Sequence, residues 1–133
     1  VAMSTSPDWS DVKHAVSGGP YLVKDGQVYI DTKEQKLGSI AGRNPRTAVG
    51  FTNDNTLIMV TVDGRQKGSV GVSLSELANL MKEFGCYNAM NFDGGSSTQM
   101  VVNDRLVNHP LNKGGSYIST GLIVKIKDNN SQG

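Results

Sequence analysis

The sequence predicts an α+β domain: a mixed β-sheet with a βαβ unit and one main amphipathic helix packed on the sheet. Three observations carry this expectation. The segment "SLSELANLMKEFG" has an apolar stripe at helical spacing, with Leu74, Leu77, Ala78, Met81 and Phe84 on one face. It is preceded by the apolar run "TLIMVTV" and followed by "YNAMNF", both of strand character. Glycine is abundant, at 16 of 133 residues, as suits a domain with many tight turns.

The elements follow in chain order. Residues 1–19 are polar and punctuated, with a short helix expected from Asp8 to Ala15. "PYLVKDGQVYI" reads as a hairpin about Asp25-Gly26, the dipeptide that supplies the left-handed conformations of a tight turn. "DTKEQKLGSIAG" is a polar connection. "RNPRTAVGFT" is a basic loop running into a short strand, and "TLIMVTV" suits a strand buried on both faces. Ser73 lies three residues before Glu76, the spacing of a capping box, and Gly85 stands where a left-handed cap ends the helix. A βαβ crossover makes its two strands parallel, so Leu57–Val62 and Asn88–Phe92 are expected as a central parallel pair. "TQMVVNDRLVNHP" reads as a hairpin about Asn103-Asp104, "YISTGLIVKIK" as a closing strand and "DNNSQG" as a frayed end.

Composition excludes several classes. At this length one domain is expected, residues 1–133. The net charge is +1 and the basic residues are scattered, so nucleic acid is not an expected partner. The single Cys86 rules out an internal disulfide and is read as a small buried apolar residue. Two distant histidines, His14 and His109, give no zinc spacing. No apolar run reaches the ~18 residues of a membrane span. A glycine-rich segment without GK[ST] or G-x-G-x-x-G gives no nucleotide site, and no cofactor is expected. Asp93, Asp63 and nearby oxygens could hold a hard cation, but there is no EF-hand-like ligand series, and no residue is assigned as a metal ligand.

Chemistry concentrates in "NFDGGSST". An apolar strand ends in Asp93, then Gly94 and Gly95 expose backbone N–H groups, and Ser96, Ser97 and Thr98 add hydroxyls. Parallel strands would bring Asp63-Gly64 to the same rim as Asp93-Gly94, where open α/β sheets bind ligands. Arg43 and Arg46 flank Pro45, and Arg65 follows Asp63-Gly64; guanidinium groups bind phosphate in a planar, bidentate way. Taken alone, each arginine reads first as a solvated loop residue, and Asp63-Gly64 first as a plain turn. His109 is weighed as an acid/base group against a loop histidine, and Trp9 as a sugar-stacking face against a lid on the core.

The ordered set "SGGPYLVKDG", "RNPRTAVGFT", "VTVDGR", "SLSELANLMKEFGCYNAMNFDGGSST" and "VNHP" resembles the phosphodiester glycosidase family, from about Trp9 to Lys125. The family's "NGGFF"-like N-terminal segment is not in this sequence, so the domain is expected to lack it, and only Lys113 stands where relatives carry an arginine before the last strand. The resemblance implies hydrolysis of a sugar-1-phosphodiester, such as phosphate-linked N-acetylglucosamine, on a glycan or cell-wall polymer. It implies an extracellular or cell-surface setting and, among bacteria, an exopolysaccharide context. Carried onto these residues, it makes Asp93 the centre of the site; a glycosidase usually needs two catalytic carboxylates, and the shared rim makes Asp63 the second, with Glu34 in reserve. The resemblance makes Arg43, Arg46, Arg65, Gly94, Gly95, Ser96, Ser97 and Thr98 the substrate-binding groups. The competing expectations are a non-catalytic domain binding glycan or wall polymer, and an anion-binding module resting on the glycine loop alone. The oligomeric state and the stereochemical outcome are left open.

Overall fold

The computed structural model describes residues 1–5, 8–30 and 42–128. Glu34 and all of residues 31–41 lie outside the described residues, as do residues 6 and 7 and the end from residue 129. Among the described residues, seven strands and one α-helix follow in order: β1 (Tyr21–Lys24), β2 (Gln27–Val28), β3 (Arg46–Phe51), β4 (Leu57–Val62), α1 (Leu74–Glu83), β5 (Asn88–Phe92), β6 (Val101–Val102) and β7 (Arg105–Leu106). A 3-10 turn spans Gly95–Ser97.

The α+β class holds, with one main sheet and one helix. The sheet has five strands in the order β2-β1-β5-β3-β4, and β6 and β7 form a separate hairpin. Its pairing departs from the expectation. Every hydrogen-bonded pair is antiparallel, and β3 stands between β4 and β5. The expected parallel pair therefore does not touch. Apolar patterning specifies a buried face but not a neighbour, and β3 satisfies the ladders of both strands. The shared rim nevertheless survives. Two antiparallel steps restore direction, so β4 and β5 run the same way in a split βαβ arrangement. Their last residues, Val62 and Phe92, lie opposite Arg46 and Thr47 at the start of β3.

The helix forms as its sequence requires. Ser73 accepts a hydrogen bond from the Glu76 N–H, and the Glu76 carboxylate accepts one from the Ser73 N–H. A cap of this kind is worth about 1 kcal/mol. Gly85 ends the helix with φ +88°. The buried stripe Leu74, Leu77, Ala78 and Met81 packs on Leu22, Val23, Ala48 and Ala89 of the sheet, with Cys86 sealing one end. Burial raises the Cys86 thiol pKa, in keeping with an inert core role. Both predicted hairpins turn on consecutive positive φ values, at Asp25 and Gly26 and at Asn103 and Asp104.

Other expectations fail for physical reasons. β4 is an edge strand with Met59 40% exposed, not a strand buried on both faces. A continuous apolar run cannot by itself distinguish the two. Residues 117–127 form no strand, and Tyr117, Ile123 and Ile126 are exposed, since a strand needs a partner and none of the described strands pairs with this segment. Residues 8–15 form no helix, and Trp9 is exposed rather than lying on the core. No described helix is long and apolar enough to cross a membrane.

Candidate active site

At the rim where β4 and β5 end lies a cleft of about 420 Å³, lined by Gly18, Gly19, Asn44, Pro45, Arg46, Arg65, Asn91, Phe92, Asp93, Gly94 and Gly95. That volume suits a small ligand. Asp93 is exposed on its wall, one residue beyond β5. The following backbone lies hard against Asn44-Pro45. The Gly95 N–H donates to the Pro45 carbonyl at 3.0 Å, and a Cβ on Gly94 would stand 2.6 Å from that same oxygen. Gly64 has the same role across the rim, where a Cβ would stand 2.5 Å from Pro45 N. Glycine is thus required because three loops meet backbone to backbone.

Two arginines line this cleft. Arg46 begins β3 and is only 4% exposed. Its Nε donates to the Val72 carbonyl at 3.1 Å, and its Nη2 to the Gly42 carbonyl. Burial, and then the neighbouring Arg65 charge, lower the Arg46 pKa from its usual value. An anion between two such cations would relieve that repulsion. Arg65 has φ +52°, a left-handed conformation that costs a non-glycine residue energy. This corner carries its side chain to Asn44, whose Oδ1 accepts from both Nε and Nη2.

The remaining predicted residues sit elsewhere. Arg43 donates to the Gly71 carbonyl at 2.9 Å and pairs with Glu76 at the helix start, so it is a helix-cap neighbour rather than a lining group. Ser96, Ser97 and Thr98 are also absent from the lining. Thr98 is 1% exposed, with its hydroxyl 3.3 Å from that of Thr47.

Asp63 meets the 108–109 loop. Its Oδ1 accepts from Asn108 Nδ2 and the His109 N–H, both at 3.0 Å. Its Oδ2 accepts from the same N–H at 3.1 Å and lies 3.2 Å from His109 Nδ1. The carboxylate is committed to holding the 108–109 loop. Asn108 in turn donates to the Thr98 carbonyl, so Asp63 braces the end of the Asp93 loop. With β3 between them, the backbones at Asp63 and Asp93 are separated by about 10 Å, two strand spacings. His109 is 85% exposed and is the loop residue that Asp63 holds.

The sequence reading missed Asn44, Asn91 and the Gly18-Gly19 wall. Asn91 had a signal: it is a polar residue in phase with Ala89 on the core face of an apolar strand. Among the described residues no group of three or more His, Cys, Asp or Glu is placed to hold a metal. A slightly larger concavity, about 480 Å³, lies at the opposite strand ends beside Thr52, Asp54, Lys82 and Cys86. It is the less suitable site, because the Asp54 carboxylate is engaged by Thr52 and Thr56.

Comparison with known proteins supplies the family. The family model for phosphodiester glycosidases matches residues 2–125. The mouse N-acetylglucosamine-1-phosphodiester alpha-N-acetylglucosaminidase is 32% identical over 106 residues, covering 71% of this chain and 20% of the enzyme. The auto-inhibited catalytic domain of the zebrafish enzyme of the same name superposes with a TM-score of 0.62 at 32% identity, over 72% of this chain and 34% of that one. A Burkholderia pseudomallei protein described as exported superposes with a TM-score of 0.52 at 46% identity, over 55% of this chain and 14% of that one. The chain spans 15% to 20% of the length of the curated relatives it matches.

Proposed function

Because this chain belongs to the phosphodiester glycosidase family, we propose that it hydrolyses a sugar-1-phosphodiester in the rim cleft, with Asp93 acting at the anomeric carbon. One observation carries the reading: a carboxylate, two guanidinium groups and glycine-stripped backbone line a single cleft at the strand ends. Asp93 takes a proton from the water that attacks C1, or attacks C1 itself and is freed when water hydrolyses the resulting glycosyl ester. The bond from C1 to the phosphate oxygen breaks, and its electron pair leaves with the phosphate. Arg46 and Arg65 take up the charge that develops there, which is where preorganised donors contribute most. A phosphate leaves as a stabilised anion, so a second carboxylate to protonate the leaving oxygen is less necessary than in ordinary glycosidases. The products are a free sugar and a phosphomonoester of the former partner.

The substrate we assign is phosphate-linked N-acetylglucosamine or a related sugar, on a glycan, exopolysaccharide or cell-wall polymer. The setting is extracellular or at the cell surface. The mouse and zebrafish relatives' names support the sugar, and the exported relative supports the setting. A second reading, binding of such a polymer without cleavage, is favoured by the commitment of Asp63 to the 108–109 loop, which leaves one carboxylate in the cleft. Incubation with the methyl phosphodiester of N-acetylglucosamine, followed by assay of free reducing sugar, separates the two. Released sugar that disappears in Asp93→Asn supports hydrolysis. Saturable binding with no release supports the binding domain and overturns the enzyme.

A further inference from the structure

We propose that Asn91 reads the sugar half of the substrate, its Oδ1 accepting a hydrogen bond from a ring hydroxyl or an acetamido N–H. This rests on the sugar-1-phosphodiester reading and assigns the sugar end of the same cleft. Asn91 is 5% exposed and lines the cleft one residue before the end of β5. Its Nδ2 donates to the Gly19 carbonyl at 3.0 Å. That bond fixes which way the amide points, since the reverse orientation would set two carbonyl oxygens together. The Oδ1 is then left buried without a hydrogen-bond partner, the one such side-chain atom among the described residues. Buried polar atoms are nearly always paired, and an exception calls for an explanation.

Packing does not supply one. Asn91 lies opposite Ala48 and in phase with Ala89, both fully buried core alanines, so the surroundings favour an apolar side chain. The unmet need is for a donor, and this discriminates between ligand groups. Phosphodiester oxygens carry no proton near neutral pH and cannot donate. Sugar hydroxyls and amide N–H groups can. Arg46 and Arg65 are donors only and suit the phosphate. The cleft is therefore polarised, with guanidinium groups for the phosphate and an acceptor for the sugar. Gly18 keeps the wall beside Asn91 close, for a Cβ there would stand 2.7 Å from the Asn91 carbonyl oxygen.

The test titrates the unaltered chain and Asn91→Leu with inorganic phosphate and with the methyl phosphodiester of N-acetylglucosamine. Side-chain amide and guanidinium resonances are followed by NMR. The expected result is that phosphate shifts Arg46 and Arg65 but not the Asn91 amide, whereas the sugar diester shifts all three. Asn91→Leu should lose about tenfold or more in affinity for the diester, the value of one well-made hydrogen bond, and keep its phosphate affinity. The NMR arm needs no substitution, so it stands even where Asn91→Leu fails to fold. Diester binding that leaves the Asn91 amide unmoved overturns the assignment of Asn91 alone. Failure of both ligands to bind the unaltered chain overturns the phosphodiester reading, and this proposal with it.

Discussion

Asp63→Asn separates a catalytic carboxylate from a bracing one. Asparagine keeps one acceptor oxygen. Placed at the Oδ1 position, it still receives Asn108 Nδ2 and the His109 N–H, both now at 3.0 Å. Its NH2 then faces His109 Nδ1, which can accept in the matching neutral tautomer. What is lost is the second limb of the His109 N–H bond, where the NH2 now meets another donor, and the charge that strengthens the remaining bonds. The expected cost is about 1 kcal/mol, or roughly 3–4 °C in melting temperature for a domain of this size. Asp63→Ala removes every acceptor and leaves the His109 N–H unmet, so its cost should be about 2–3 kcal/mol. Hydrolysis should fall only a fewfold in Asp63→Asn and further in Asp63→Ala, in step with melting, because the Asp93 loop is braced through Asn108 and Thr98. The assay is reducing-sugar release beside thermal melting for both variants. An Asp63→Asn protein that melts like the parent yet releases no sugar would refute the bracing role and return Asp63 to the chemistry.

Asp93→Asn should show the opposite pattern, with hydrolysis lost and melting unchanged, since the side chain is exposed on the cleft wall; full activity would remove Asp93 from the reaction. Arg65→Ala should weaken substrate binding at least tenfold, whereas Arg43→Ala should leave it unchanged and cost at most about 1 kcal/mol of stability, the value of a surface ion pair. Equal binding losses in isothermal titration would put Arg43 back in the site. Gly94→Ala should destabilise by about 1–3 kcal/mol through the collision with the Pro45 carbonyl. It should also cost turnover beyond its melting change, because Asp93 moves relative to Arg46; a variant indistinguishable from the parent in both would show that the loops are not in contact. The Glu76 carboxylate has its pKa lowered, chiefly by the Ser73 N–H and then by Arg43. Its folded value is below its unfolded one, so its contribution is complete above about pH 4.5, its ordinary value, and is lost as pH falls through the depressed folded value. Glu76→Gln should therefore flatten the acid limb of a melting-versus-pH profile, and an unchanged limb would deny the linkage.

Local structure was legible in the sequence wherever neighbours along the chain decide it. The Ser73–Glu76 box, the Gly85 cap and the turns at Asp25-Gly26 and Asn103-Asp104 each depend on a few adjacent residues. The family was legible too, because its motifs are local strings in a set order. Asp93 and Gly94 could be singled out because a carboxylate followed by bare backbone ends an apolar strand. Partner choice was not legible. The insertion of β3 between β4 and β5, and the edge position of β4, depend on ladders between segments distant in sequence. The same holds for side-chain commitments. Arg43 and Arg46 flank one proline and look alike in the sequence, but Arg46 begins the inner strand β3 and lines the cleft, while Arg43 turns to Glu76. Asp63 and Asp93 both end a strand with an aspartate and a glycine, yet the approach of residues 108 and 109 engages only the first. Hydrogen-bond partners dozens of residues away decide which charge is available for chemistry, and only the folded chain brings those partners within reach.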